Sequence, residues 1–171
     1  RRVLFRSGTI ASFNYFDRNS FYGNRNFNTE QLNLYTNLIF QTYLFNTSHS
    51  YNTGVSFTYD RNNTLFQDST FNTNNAVPGL FLEYNYKPTV RTTLMAGMRY
   101  DYSTIHGAFY TPRIHVKHDL FEHLTFRGSV GKGHRSAYAI SENSNLLASA
   151  RTFVFAEEID QEEAWNYGTS L

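Results

Sequence analysis

Residues 128–135, Gly-Ser-Val-Gly-Lys-Gly-His-Arg, put three glycines beside a lysine, the ingredients of a loop whose backbone amides cradle a phosphate. That chemistry also needs a helix to begin directly after the loop, because the helix N-terminus supplies the aligned N–H groups. His115 and His118 are two imidazoles three residues apart, the start of a possible metal site. Arg99, Asp101, Arg113, Arg127 and Arg135 could bind an anion or neutralise one another. Serines, histidines and aspartates are numerous enough to draw a hydrolytic triad on paper, but none sits in a nucleophile elbow or beside a base placed by spacing. What these groups can do depends on the elements that carry them.

Those elements alternate in polarity at every residue, the mark of a strand with two different surroundings. In residues 92–103, Leu94, Ala96, Met98, Tyr100 and Tyr102 oppose Gly97, Arg99, Asp101 and Ser103. In residues 50–60, Tyr51, Val55, Phe57 and Tyr59 oppose Asn52, Gly54, Ser56, Thr58 and Asp60. Leu80, Leu82, Tyr84 and Tyr86 oppose Glu83 and Asn85; Tyr110, Ile114 and Val116 oppose Thr111, Arg113, His115 and Lys117. Leu32, Leu34, Leu38, Phe40 and Leu44 oppose Gln31, Asn33, Asn37 and Gln41, with Tyr35, Ile39 and Tyr43 blurring the second face. Trp165, Tyr167 and Leu171 oppose Asn166, Gly168 and Ser170, and a weaker strand covers residues 9–17. Helical spacing explains none of these stretches as well.

The glycine-rich stretch belongs to the same pattern. From about Glu122, Leu124, Phe126, Gly128 and Val130 point one way, and Thr125, Arg127, Ser129, Gly131, Gly133 and Arg135 the other. No strand-to-helix junction comes after it, so the phosphate reading fails, and the glycines fit a place where another backbone approaches the inner wall. Arg127 and Arg135 then project into the same interior as Arg99, Asp101 and Arg113, where lining the wall is the plainer role and anion binding the sharper one. His115 and His118 fall on opposite sides, so they do not share a metal. No enzyme activity, cofactor or metal is expected.

Composition sets the outer bounds. The chain has 171 residues, a net charge of +1, no cysteine and 18% aromatic residues. It has no disulfide framework and no general electrostatic reason to bind nucleic acid. No apolar run approaches the roughly 18 residues of a membrane helix, but a membrane barrel hides its signal in alternation. The opening residues 1–7 share no rhythm with the rest of the chain and resemble the translation of a sequencing-adapter oligonucleotide, so they are set aside as an artefact. Residues 8–171 are expected to be an internal piece of a longer protein.

Connection lengths alternate as well. Short turns are expected at residues 45–49, 87–91 and 119–123, a fairly short connection at 103–107, and long polar loops at 18–28, 60–76 and 137–161. Short turns on one rim and longer loops on the other are what outer-membrane barrels show. Tyr84, Tyr86, Tyr100, Tyr102 and Trp165 are the candidates for the aromatic girdle at the lipid interface. The loop at 137–161 is the expected ligand-facing element, on position alone.

Residues 111–143, with the later Leu-Ala-Ser-Ala-Arg at 147–151 and Glu-Glu-Ala-Trp-Asn-Tyr-Gly-Thr-Ser-Leu at 162–171, resemble the barrel of TonB-dependent outer-membrane receptors, especially those of Bacteroidetes. The family's Thr-Pro-Arg corresponds to Thr111, Pro112 and Arg113, its G-x-G-x-R to Gly131, Gly133 and Arg135, and its E-x-A-x-N-x-G to the stretch that contains Glu163, Trp165 flanked by Ala164 and Asn166, and Gly168. His134 departs from the aromatic residue more usual there. The resemblance implies an all-β, antiparallel up-and-down sheet of about eight strands within a 22-stranded barrel of the bacterial outer membrane. It further implies import of a scarce nutrient such as a ferric siderophore, haem or cobalamin. The implied partners are the protein's own plug domain, TonB through an N-terminal part outside this chain, outer-membrane lipid and the small-molecule nutrient. Alternation alone leaves two alternatives open: a complete small barrel with a structural or adhesive role, and a soluble carbohydrate-binding β-sandwich.

Overall fold

The computed structural model describes residues 5–44, 46–66, 69–136 and 160–171. They form eight antiparallel strands in chain order: β1 (Arg6–Tyr22), β2 (Arg25–Tyr43), β3 (His49–Phe66), β4 (Ser69–Thr89), β5 (Thr92–Ser103), β6 (Gly107–Phe121), β7 (Leu124–Arg135) and β8 (Glu162–Ser170). Each pairs with the next in one sheet, and no helix occurs among the described residues. The β-sandwich alternative is therefore overturned, since the described residues form one sheet with no second layer over its apolar face. β1 and β8 stand at the two ends of the strand order, not side by side, which also removes the complete small barrel. β1 takes up Arg6 and Ser7, paired with Gln41 and Phe40.

Of the expected loops at 18–28 and 60–76, residues 18–22, 25–28, 60–66 and 69–76 are instead strand. β1 and β2 stay in register to the pair Tyr22 and Arg25, and β3 and β4 to the pair Phe66 and Ser69. Gly23 closes the first hairpin at φ 65°, a left-handed conformation that glycine adopts without a Cβ clash. These stretches looked like loops because Asn, Asp and Thr fill them, and composition favours turns for such residues. Continuous cross-strand pairing overrides that preference. The connection at 103–107 is a tight turn ending at Gly107, φ 77°. The expected loop at 137–161 lies almost wholly outside the described residues.

Register carries two faces across the whole sheet. One runs through Asn37, Ser56, Gly79, Asp101 and Phe109, or equally Gly97, Arg113, Gly131 and Asn166. The other runs through Leu38, Val55, Leu80, Tyr100 and Tyr110. On the second face Leu80 is 57% exposed and Met98 50%, while the only buried hydrophobic side chains among the described residues are Phe27 and Phe66. A sheet with so much contiguous exposed apolar surface is built for a nonaqueous neighbour.

β1–β4 run to 17, 19, 18 and 21 residues. Roughly 9–11 suffice for a tilted strand to cross a bilayer, so the surplus projects beyond it. There the polarity inverts. Phe27, Phe66, Tyr22 and Phe71 pack together on what is the polar face lower down. Asn26, Asn28, Glu30, Asn63, Asn72 and Asn74 occupy the continuation of the apolar face, where Phe21 and Leu65 are the apolar exceptions. Arg18 caps this cluster, donating to Ser20 Oγ at 2.7 Å and Tyr22 Oη at 3.2 Å, with its guanidinium 6.0 Å from the Phe27 ring.

Candidate lumenal site

On the polar face of β2–β7, glycines and charged residues divide the space between them. Gly79 has no room for a side chain: a Cβ would lie 2.0 Å from Asp101 Oδ1 and 2.8 Å from Ser56 Oγ. Asp101 occupies that space, buried, and receives both Nε and Nη2 of Arg99, at 2.6 and 2.7 Å. Arg99 Nη2 also donates to Ser56 Oγ at 2.8 Å, tying β5 to β3 across β4. The bidentate fork fixes the guanidinium in one orientation. Paired in this way, Arg99 and Asp101 neutralise each other.

A second network lies beside it. Arg113 runs between Gly97 and Gly131, where added Cβ atoms would meet its Cγ at 3.2 Å and its Cβ at 3.3 Å. Its Nη2 reaches Glu83 Oε2 at 2.6 Å. Glu83 Oε1 also accepts from Asn52 Nδ2 at 2.8 Å and Asn85 Nδ2 at 3.1 Å. Here the structure differs from the expectation for Gly131. What fills the space above it is the stem of Arg113 as well as the Pro112 carbonyl, 3.4 Å from an added Cβ. Gly133 has looser surroundings, its nearest atoms being Asn166 Nδ2 at 3.7 Å and Ala164 O at 4.0 Å.

The two networks line a cavity of about 630 Å³ that also touches Asn37, Phe81, Phe109 and Thr111. Lower on the same face, a cavity of about 800 Å³ brings Arg127 together with His115, Lys117, Ser129 and Gly168. Lys117 pairs there with Asp119 at 3.1 Å. Arg135, at the other end of β7, pairs with Glu162 at 3.0 Å. The structure thus puts Arg99, Asp101 and Arg113 in one group and leaves Arg127 and Arg135 apart at opposite ends of one strand. Among the described residues no three His, Asp or Glu side chains form a metal-binding group.

Sequence reading did not assign the partners Ser56, Asn52, Glu83 and Asn85 to these arginines. Their only signal was membership of the polar alternation, and the partnership depends on cross-strand register. Asn75 and Ser103 were missed likewise: Ser103 Oγ donates to Asn75 Oδ1 at 2.8 Å and accepts from the Ile105 and His106 amides, bracing the β5–β6 turn.

The girdle candidates all share the apolar face. Tyr84 and Tyr86 form a stack near the short turns, with His49 4.6 Å from Tyr86 and Tyr51 4.8 Å from Tyr84. His49 Nδ1 meets Tyr84 Oη at 2.5 Å. Tyr100 and Tyr102 stand toward the other end of β5, and Trp165 stacks on Tyr167 at 6.5 Å. From Leu94, opposite Tyr86, to Tyr102 is eight residues of strand, or roughly 26 Å at about 3.3 Å each. Tilt reduces that to roughly 20 Å of height, in keeping with the apolar band of a membrane barrel.

Long antiparallel strands, an aromatic-bounded apolar face and a charged, glycine-spaced opposite face define the wall of an outer-membrane β-barrel. The family model described as TonB dependent receptor-like, beta-barrel matches residues 2–171, and the chain belongs to that family. The family is one of receptor barrels, not of enzymes. No curated protein sequence matches significantly. Among solved structures, a ferric enterobactin receptor mutant from Pseudomonas aeruginosa in complex with enterobactin superposes with a TM-score of 0.57 at 16% identity, over 64% of this chain and 18% of that one. The ferric citrate transporter FecA in its unliganded form gives 0.54 at 11% identity, over 96% and 29%. The copper transporter OprC gives 0.53 at 14% identity, over 67% and 22%. This chain spans under a third of the length of these proteins, and at such identities they establish the fold alone.

Proposed function

We propose that this chain is wall and outer hairpin of a receptor that imports a scarce, chelated nutrient, with a ferric siderophore, haem or cobalamin as the class of cargo. The family match over residues 2–171 carries this reading. The neighbours' ferric enterobactin, ferric citrate and copper agree with a metal-centred cargo. In the whole protein, Arg99, Asp101, Arg113, Arg127, Gly131, Gly133 and Arg135 face the plug domain. Tyr84, Tyr86, Tyr100, Tyr102 and Trp165 sit at the lipid interfaces, and TonB acts through a part outside this chain. No bond is made or broken by this wall.

The test is uptake of radiolabelled ferric siderophores, haem and cobalamin by cells carrying the full-length protein, with and without an energised inner membrane. Accumulation of one of them that stops when the membrane is de-energised supports the proposal. Uptake of none, or uptake indifferent to energisation, ends it.

A further inference from the structure

Arg99, Arg113 and Arg135 are each matched by an acid on the lumenal face, Asp101, Glu83 and Glu162 in turn. Nearer the short-turn rim the register sets Lys117 of β6 directly opposite Arg127 of β7, both on that same face. Like charges opposed across an antiparallel pair repel, with Cβ atoms only about 4.5–5.5 Å apart. Lys117 is compensated by Asp119, 3.1 Å from its Nζ, and Asp119 also accepts from Thr125 Oγ1 at 2.7 Å. Arg127 has no acidic partner among the described residues.

The space around Arg127 is open. Gly97 and Gly131 are covered by Arg113 itself, whereas beside Arg127 the short side chains of Ser129 and Ser170, with Gly168, bound the cavity of about 800 Å³. Ser170 is the cross-strand neighbour of Arg127 on β8, and Thr93 that of Lys117 on β5. The cavity therefore presents a guanidinium, an ammonium, an imidazole and several hydroxyls, and among the described residues no acid lines it. A guanidinium takes a carboxylate through two parallel N–H bonds, and an ammonium beside it adds a point charge. Arg127 stands three residues along β7 from Leu124, or roughly 10 Å from the rim.

On the reading that a plug fills this barrel, we propose that a carboxylate side chain of the plug docks between Lys117 and Arg127 and fastens the plug to the wall near its short-turn end. A carboxylate there cancels the repulsion of two cations across the β6–β7 pair. It also engages the guanidinium fork that no acid among the described residues engages, and fills part of the cavity. A pathway conducts only where its sites release what they bind, so a cationic pair of this kind suits a domain that stays in the bore better than a nutrient that must leave it. The docking is independent of which nutrient is carried.

The test is zero-length cross-linking in the full-length protein, purified in detergent without nutrient. A water-soluble carbodiimide activates a carboxylate, and an amine in contact with it forms an amide that mass spectrometry locates after proteolysis. Arg127→Lys puts such an amine at the site, and Asp119→Asn, made separately, removes the acid that would otherwise capture Lys117. The expected result is an amide from position 127 to an Asp or Glu of the plug, and in Asp119→Asn an amide from Lys117 to that same acid. Cross-links confined to acids of this chain, different plug acids at the two positions, or none at either, overturn the proposal. Energised uptake by the unaltered protein is read separately. The expected cross-links without such uptake uphold the docking and end only the import reading, whereas uptake without the cross-links ends the docking alone.

Discussion

Within single strands, β1–β4 hold two regions with opposite alternation, and the contrast shows what surrounds each. At membrane level the apolar side chains, Leu38, Val55, Leu80 and Leu82, face outward, each more than half exposed. Beyond it, Phe27 and Phe66 turn to the opposite face and pack on each other, while Asn and Glu take the outward positions. The backbone is the same in both regions. What changes is the solvent, hydrocarbon for one and water for the other, and each stretch hides whichever group its own solvent disfavours.

The comparison is broken most severely by a charge on the lower outward face. Met98→Arg is expected to cost roughly 2–4 kcal/mol of assembly in lipid vesicles. Ser129→Arg, on the polar face, should assemble nearly as the parent does. Equal losses in a gel-shift folding assay would undo the assignment of faces. Next in size, Phe27→Ala should remove about 1.5–3 kcal/mol from the hairpins beyond the membrane. Limited proteolysis would then cut near residues 18–28 while the membrane-level barrel stays resistant.

Gly79→Ala sharpens the comparison from the inside. Its new methyl must displace Asp101 from the Arg99 fork, an overpacking cost of about 1–3 kcal/mol, read as a lower midpoint in a urea refolding titration. Smallest of all, Asn72→Arg lies on the same face as Leu80 and Leu82 but beyond the inversion, so its effect on assembly should be within about 0.5 kcal/mol. A loss as large as that of Met98→Arg would place Asn72 in the bilayer and erase the contrast.

The membrane-level fold was legible because alternation is a local property. Leu94, Met98, Arg99 and Asp101 fall on the faces that counting assigns them. The hairpins beyond the membrane were not legible, since their apolar face is only a small cluster of Phe27, Phe66, Tyr22 and Phe71 and the positions around it are mostly polar. Residues such as Asn62, Asn63, Asn72 and Asn74 then read as loop. The site was legible only as a list of arginines. That Arg113 needs Gly97 and Gly131 as its bed and Glu83 as its partner depends on register across four strands, and no single strand's sequence contains it.

The most direct test is electron paramagnetic resonance accessibility, with a spin label placed in turn at each of residues 94–103 of the full-length protein in lipid. Contact with oxygen, which concentrates in hydrocarbon, should peak at 94, 96, 98, 100 and 102 and fall at the positions between. A flat profile, or one with peaks at 95, 97, 99 and 101, would contradict the assignment of these faces.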